Sequence, residues 1–116
     1  MSATTPEGKV KAKIDAILKP YVQRKVMAYN KTAGSMFGAN GWPDYDGVLL
    51  GLFWSIEAKH YPKKPTDLQQ PRIDDIKKAK GIAIVVDEKN LEKLDTFFQK
   101  LEQRGLAYQE WLRAHS

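Results

Sequence analysis

Four side chains that can do chemistry flank two short apolar runs within residues 41–59, GWPDYDGVLLGLFWSIEAK. Asp44 and Asp46 come before the runs, and Glu57 and Lys59 come after them. Carboxylates are preferred ligands of hard divalent ions such as Mg²⁺ and Mn²⁺, which usually take one or two from the protein and complete their shell with water and phosphate. A lysine beside such an ion can orient or deprotonate a water, or stabilise charge that develops on phosphate. This combination is the one needed to hydrolyse a phosphodiester bond.

A hairpin would bring these residues together. With its turn at Leu50-Gly51, it places Asp44 opposite Glu57, and Lys59 one step further along the same face. Directly opposed side chains have Cβ atoms about 4.5–5.5 Å apart, where like charges repel, so we expect a cation between the two acids. The alternative is that this face is simply solvated and carries its charges as ordinary surface residues. A shift of the turn by one residue would also undo the pairing.

Length and composition limit the classes of protein to consider. The chain has 116 residues, 42% of them hydrophobic and 28% charged, which is typical of one globular domain covering 1–116. The net charge of +5 favours a polyanionic partner, nucleic acid first and an acidic membrane second. The absence of cysteine excludes disulfides and thiolate metal sites and fits a reducing compartment. No apolar run is long enough to span a membrane and no signal peptide is apparent, so we expect a cytoplasmic protein.

The elements that must position the charged residues alternate between helices and strands. The first helix is predicted from Pro6, with Thr4 or Thr5 as its N-cap, to about Pro20, which either ends it or kinks it. Further helices are predicted at 67–80 and 90–104, strands at 25–30, 44–50, 52–59 and 82–87, and a glycine-rich loop at 31–43. The predicted order is helix, three strands, helix, strand, helix.

Polar residues and glycines mark the ends of the two later helices. Thr66 or Asp67 can cap the second helix, and Gly81 is predicted to end it. Gly105 is predicted to be the C-cap of the last helix. The tail at 106–116 then forms a further short helix.

The charged residues also match a known signature. Pro43-Asp44, followed by Glu57-Ala58-Lys59, resembles the PD-(D/E)xK signature of the restriction-endonuclease-like nucleases. The flanking residues narrow the likeness to the virus-type replication-repair nuclease family (VRR-NUC), because the two segments resemble that family's G-x-P-D and apolar-E-x-K motifs.

The likeness extends over most of the chain, from about residue 7 to residue 87. Gln69 opens a predicted helix after the lysine, and a glycine and an apolar strand at 82–86 follow, in the order found in that family. The small size resembles the stand-alone phage and bacterial members.

The resemblance implies an α/β fold with a restriction-endonuclease-like αβββαβ core, a mixed central sheet flanked by helices and an extra C-terminal helix. It further implies a Mg²⁺- or Mn²⁺-dependent DNA nuclease. Asp44 and Glu57 would hold the metal, with the Ala58 carbonyl as a further ligand. Lys59 would be the catalytic lysine, and Gln69 would position the water or the phosphate.

Two of the implied roles have simpler alternatives. Glu7 matches an acid that some of these nucleases carry on the first helix as a metal ligand, but an acid in a first helical turn also interacts favourably with the helix dipole. Gln69 can equally be a polar residue at a helix start.

Several other residues flank the implied site. Lys63, Lys64 and Arg72 can follow DNA phosphates or simply form a solvated face. Trp42 and Tyr45 are interpreted as core residues rather than base-stacking ones. Among the remaining candidates, His60 is interpreted as a loop residue, and three aromatic residues are assigned either to the core or to a self-association surface: Phe97, Phe98 and Trp111.

The expected activity is therefore endonucleolytic cleavage of branched DNA, such as four-way junctions or flaps, by a homodimer whose two sites cut two strands. Two rivals stay open. One is an exonuclease or a sequence-specific endonuclease on the same fold. The other is a basic DNA-binding module without catalysis.

Overall fold

The structure, a computed structural model, describes residues 5–32 and 41–116. Thr4 and most of the glycine-rich loop predicted at 31–43 lie outside the described residues. The elements in chain order are α1 (Pro6–Gln23), β1 (Met27–Lys31), β2 (Tyr45–Leu49), β3 (Leu52–Ala58), α2 (Gln69–Lys78), β4 (Ile82–Val86), a short 3-10 helix (Leu91–Lys93) and α3 (Leu94–His115). This order confirms the predicted α/β fold, an αβββαβ core followed by one further helix.

The four strands form one mixed sheet in the order β1-β2-β3-β4. The pairs β1–β2 and β2–β3 are antiparallel, whereas β3 and β4 run parallel with α2 as the crossover between them. The β2–β3 turn lies at Leu50-Gly51, where φ is 48° and 88°. Two positive φ values identify a type I′ turn, whose twist suits a hairpin. The resulting register pairs Asp46 with Ser55 and Val48 with Phe53, as the predicted turn requires.

Strand β3 is covered on both faces. Trp54, Ile56 and Ala58 pack into the larger core cluster, which also contains buried residues of α1 and α3. The intervening residues point to the opposite face, where Ser55 and Glu57 neighbour Ala83 and Val85 of β4. Those two β4 residues belong to a smaller cluster with Ile73 and Ile76 of α2. The crossover helix therefore covers the face that carries the charged residues of β3.

Helix α1 runs past the proline at which it was predicted to end or kink. Thr5 caps its start as expected, since its Oγ1 accepts a hydrogen bond of 2.9 Å from the backbone N of Gly8. The helix then passes through Pro20 to Gln23. Tyr21 is buried there, with its hydroxyl 2.9 Å from Asp95 of α3, and this tertiary packing outweighs the backbone hydrogen bond that proline removes.

The prediction that Gly105 caps the last helix is wrong. Helix α3 continues through Gly105 to His115 and includes the predicted tail helix. A Cβ at Gly105 would lie 2.7 Å from the Cβ of Leu50, so the glycine allows the helix to cross the hairpin turn closely. One helical turn later, Gln109 Nε2 donates a 2.9 Å hydrogen bond to the carbonyl of Leu50. The glycine therefore serves helix packing rather than helix termination.

The predicted end of α2 and the aromatic residues of α3 complete the picture. The helix was predicted to end at Gly81 but ends at Lys78, and the residue with positive φ after it is Lys80 rather than the glycine. The backbone N of Gly81 donates to the Ile76 carbonyl at 2.8 Å and so closes the helix end. On α3, Phe98 is core and Phe97 is partly buried against it, whereas Trp111 is 56% exposed.

Among the helices formed by the described residues, none is long and apolar enough to cross a membrane.

Candidate active site

The charged face of β3 is buried rather than solvated. Ser55, Glu57 and Lys59 retain 0%, 2% and 8% of their accessible surface. Ser55 is satisfied, since its Oγ donates to the Ile82 carbonyl at 2.8 Å. The solvated interpretation of this face is therefore wrong. Alternation along the strand could not reveal this, because it does not show that α2 packs over the face.

Glu57 is buried with only part of its hydrogen-bonding capacity used. Its Oε2 lies 3.3 Å from Lys59 Nζ. Its Oε1 has no hydrogen-bond partner among the described residues, an arrangement that costs about 1–3 kcal/mol or more for a charged group. Burial first and the negative charge of Asp44 second raise the pKa of Glu57 to about 7, although Lys59 opposes both. The side chain thus has an unmet demand for a proton or a cation.

Asp44 reaches Glu57's end of β3 from the residue before β2. Its Oδ2 accepts a 2.9 Å hydrogen bond from the backbone N of Ala58, and its own carbonyl accepts one of 2.8 Å from Thr32. The paired ladder begins one residue later, at Tyr45 opposite Ile56. Asp44 therefore takes up the position next to the ladder that was predicted to oppose Glu57.

The Ala58 carbonyl points to the same side as Asp44. The backbone N of Lys59 donates to Val86 of β4 at 2.9 Å, so the preceding residue turns its N–H and C=O the other way. The Ala58 N–H points away from β4, since it donates a hydrogen bond to Asp44 Oδ2. The carbonyl of Ala58 therefore lies on the Asp44 side of β3, and its role as a metal ligand stays a prediction.

These donors fit one hard divalent ion. Within residues 5–32 and 41–116, no three Asp, Glu, His or Cys side chains are grouped closely enough to hold a metal. Two carboxylates and a backbone carbonyl are nevertheless a sufficient protein share for Mg²⁺ or Mn²⁺, which keep waters and take phosphate oxygens. The unpartnered Oε1 of Glu57 is an oxygen that such an ion would satisfy.

Helix α1 contributes to the site through a lysine that the sequence analysis did not identify. Lys11 Nζ lies 3.7 Å from Glu7 Oε2 and 3.7 Å from Asp44 Oδ1. Glu7 is therefore linked to Asp44 by a cation rather than grouped with both acids as a third carboxylate. The signal was present in the sequence, since Glu7 and Lys11 are one helical turn apart and share a face.

Gln69 takes part in the start of α2. Its backbone N donates to Thr66 Oγ1 at 3.2 Å, and its Oε1 accepts from the backbone N of Thr66 at 2.9 Å. The two bonds have the reciprocal pattern of a capping box, but they lie in the turn before α2, whose N-cap is Leu68 and makes no side-chain hydrogen bond. Gln69 is therefore a polar residue at the helix start, as its simpler interpretation states, and Thr66 lies two residues before the N-cap. The catalytic role of Gln69 stays a prediction.

Gly41 brings this helix start against the segment that carries Asp44. A Cβ on Gly41 would lie 1.9 Å from the carbonyl oxygen of Leu68 and 3.1 Å from the N of Gln69, and its φ is +81°. Only glycine permits that approach. Gly41, which stands at the glycine of the G-x-P-D motif, thus has a structural reason, which is to let α2 begin next to the Asp44 segment.

The predicted DNA-contacting residues lie on the way from Lys59 to α2. Lys63 and Lys64 are exposed in the connecting loop, and Arg72 is half-buried on α2. Their contact with phosphate stays a prediction. His60 is a loop residue as interpreted, with its Nδ1 2.7 Å from Glu88.

The two aromatic residues beside Asp44 are core residues, as interpreted. Tyr45 is fully buried in the larger cluster. Trp42 packs partly buried against Ile73 and the rest of the α2 cluster.

Comparison of the chain with protein-family models finds no match, and no curated protein matches it. The likeness to the virus-type replication-repair nucleases therefore rests on the motif residues. The geometry adds that Asp44, Glu57, Ala58 and Lys59 meet at one end of the β2–β3 hairpin.

Proposed function

We propose that this chain is a metal-dependent DNA endonuclease that hydrolyses phosphodiester bonds in branched DNA, with Mg²⁺ or Mn²⁺ as its cofactor. The observation that carries the proposal is Glu57, a buried carboxylate near Asp44 and Lys59, one oxygen of which has no hydrogen-bond partner among the described residues. Buried polar groups are almost always satisfied, and exceptions with a shifted pKa concentrate at functional sites. A purely structural carboxylate would gain stability from a partner for that oxygen.

Each residue has a task in the hydrolysis. Asp44, Glu57 and the Ala58 carbonyl would hold the ion, which supplies Lewis-acid stabilisation of the charge that develops on the phosphate. Lys59, fixed beside Glu57, would orient the attacking water and stabilise the phosphate oxygens. The water oxygen bonds to phosphorus, the phosphorus–oxygen bond to the leaving nucleotide breaks with its electron pair, and one proton passes in net from water to the leaving oxygen.

Positive charge supports DNA as the substrate class. The net charge is +5, and Lys63 and Lys64 are exposed on the loop that follows Lys59. The last turn of α2 adds Lys77 and Lys78, both exposed. Lysines of this kind neutralise phosphates without reading the base sequence, which suits a nuclease selective for DNA shape.

A homodimer and a cytoplasmic location complete the proposal. Two sites related by a two-fold axis would cut two strands of a four-way junction or a flap. The exposed Trp111, with Leu106 and Tyr108 also exposed on the same half of α3, supports self-association because large apolar side chains are seldom left in water without a use.

Cleavage of a labelled panel tests the function. The panel contains a four-way junction, a flap, nicked, single-stranded and duplex DNA, each with Mg²⁺, Mn²⁺ or EDTA. Junction arms closed by hairpins separate an endonuclease from an exonuclease, because they offer no ends. We expect metal-dependent cutting of the closed junction that Asp44→Asn and Lys59→Met abolish.

The matched control is Asp46→Asn, which changes a partly exposed acid two residues after Asp44 and outside the proposed ligand set. It should cut within about threefold of the wild type. Cleavage that survives EDTA or Asp44→Asn would contradict the proposal. Equal binding of branched DNA by wild type and variants, without cutting, would favour the binding-module interpretation instead.

A further inference from the structure

Lys11 occupies an unusual position for a helix lysine. Its ammonium lies between two carboxylates, 3.7 Å from Glu7 and 3.7 Å from Asp44. Its side chain is 16% exposed and that of Asp44 is 15% exposed, whereas Glu7 is more open to solvent at 38%. One proposed metal ligand, Asp44, therefore already has a largely buried cation near Oδ1, while its Oδ2 faces Ala58.

The fold holds Lys11 in that place. The hydroxyl of Tyr45 lies 3.1 Å from the Lys11 carbonyl oxygen and 2.7 Å from Asp15 Oδ1, one helical turn later on α1. Tyr45 is fully buried and directly follows Asp44 in the chain. Helix α1 is thus fixed against the start of β2, in the register that points Lys11 at Asp44.

The position matters because nucleases use either one or two metal ions. In a two-metal site the ions lie about 3.5–4 Å apart and share or divide acidic ligands. A second ion beside Asp44, on the side away from Glu57, would draw on Glu7 and would have to approach both acids. The ammonium of Lys11 already lies 3.7 Å from each of them.

We propose that Lys11 replaces a second metal ion, so that the site takes one divalent cation and uses the lysine as its second positive charge toward the scissile phosphate. This inference rests on the proposed nuclease function and deepens it. Three carboxylates against two lysines leave one net negative charge among Glu7, Lys11, Asp44, Glu57 and Lys59. One divalent ion turns this into one net positive charge, which suits the single negative charge of a phosphodiester.

Metal stoichiometry tests the inference without any cleavage assay. Mn²⁺ alone is titrated into the full chain at pH 8, followed by calorimetry and by the spin-resonance signal of free Mn²⁺. We expect one Mn²⁺ per chain for the wild type and for Lys11→Arg, which keeps the charge. Lys11→Met frees Glu7 and Asp44 and should bind two, and adding Glu7→Gln to it should restore one.

A second readout comes from the metal dependence of the cleavage rate. The wild-type rate should saturate with Mn²⁺ as a single-site process. The cleavage rate of Lys11→Met should be at least tenfold lower than that of the wild type at low Mn²⁺. As the Mn²⁺ concentration rises, its rate should recover as a second-order function of that concentration. A merely structural role for Lys11 would lower the amount of folded protein without changing the order in Mn²⁺.

Several results would overturn the inference. Two ions in the wild type would do so, as would one ion in a folded Lys11→Met with unchanged affinity. If Lys11→Met does not fold, the Mn²⁺ affinity of the Glu7→Gln variant decides the question. The inference requires that affinity to stay within about threefold of the wild-type value. A tenfold loss there would make Glu7 a ligand and reject the role of Lys11.

Failure of the nuclease proposal itself looks different. It would appear as no Mn²⁺ binding by the wild type, or as binding that Glu57→Gln leaves unchanged. Binding of two ions that Glu57→Gln removes would keep the metal-dependent nuclease and reject only the role of Lys11.

Discussion

Two carboxylates of this chain, Glu57 and Glu88, each lie beside a nitrogen base and yet respond in opposite ways. Glu57 is almost fully buried, with one oxygen near Lys59 and the other without a partner among the described residues, and its pKa is raised to about 7. Glu88 is exposed, and its oxygens accept from the Tyr61 backbone N at 2.8 Å and lie 2.7 Å from the His60 ring. Those contacts lower the pKa of Glu88 to about 2.

The difference shows that an adjacent nitrogen group does not by itself decide the state of a carboxylate. Glu88 keeps its hydration and has both oxygens satisfied, so its charged form is favoured. Glu57 has lost its hydration and also faces the charge of Asp44, so its charged form is disfavoured despite Lys59. The satisfied carboxylate fastens a loop, whereas the unsatisfied one is suited to bind a cation.

Exchanging each acid for its amide gives the largest expected contrast. Glu57→Gln should reduce the cleavage rate of a four-way junction by roughly 10³-fold, or about 4 kcal/mol of transition-state stabilisation, because it removes a metal ligand. Glu88→Gln should stay within about threefold of the wild type. Initial rates with a labelled junction in Mg²⁺ measure both, and comparable losses in the two variants would remove the functional distinction.

The second-largest expected effect is on how the free energy of unfolding depends on pH. Because the folded pKa of Glu57 lies above its ordinary value, the folded state binds its proton more tightly than the unfolded state between about pH 4.5 and 7. Stability attributable to Glu57 is therefore present at low pH and is lost as pH rises through this window, by at most about 1.4 kcal/mol per pH unit. Glu57→Gln should lack this loss.

Urea unfolding of the metal-free proteins at pH 5 and pH 8, in EDTA, gives the measurement. The free energy of unfolding of Glu57→Gln relative to wild type should rise by a few kcal/mol from pH 5 to pH 8. Since all other groups are shared, the difference isolates residue 57. Parallel pH profiles of the two proteins would show that Glu57 is not destabilised by its surroundings.

The smallest effect is expected for Glu88. Its lowered pKa means that its contribution is present above about pH 4.5 and is lost as pH falls toward about 2. At neutral pH, Glu88→Gln should speed hydrogen exchange of the Tyr61 amide several-fold and leave the core strands unchanged. Unaltered exchange at Tyr61 would show that Glu88 does not fasten the loop.

The sequence was sufficient to predict the hairpin and its charged end. Gly51 in the turn sets the register, and the alternation after it places Glu57 and Lys59 on one face. These are local consequences of strand geometry, and so the pairing of Asp44 with the end of β3 could be predicted before any tertiary structure was known.

Features that depend on how elements dock were not predictable in the same way. Burial of Ser55, Glu57 and Lys59 requires α2 to cover that face, whereas the residue types alone are typical of a solvated strand. The contact of Lys11 with Asp44 joins α1 to β2 and follows from the Tyr45 hydrogen bonds. A glycine late in a helix is typical of a cap, so the sequence predicts a helix end at Gly105, whereas the close approach of Leu50 is what requires the glycine.

The two carboxylate oxygens of Asp44 have different roles, because one of them accepts the hydrogen bond from the backbone N of Ala58. Its Oδ2 extends the β2–β3 pairing by one hydrogen bond beyond Tyr45, and its Oδ1 lies 3.7 Å from the ammonium of Lys11. A ligand held in this way is positioned like a main-chain atom, with little rotamer freedom still to lose when a metal or a phosphate arrives. The same side chain therefore closes the end of the hairpin and would bind the catalytic cation.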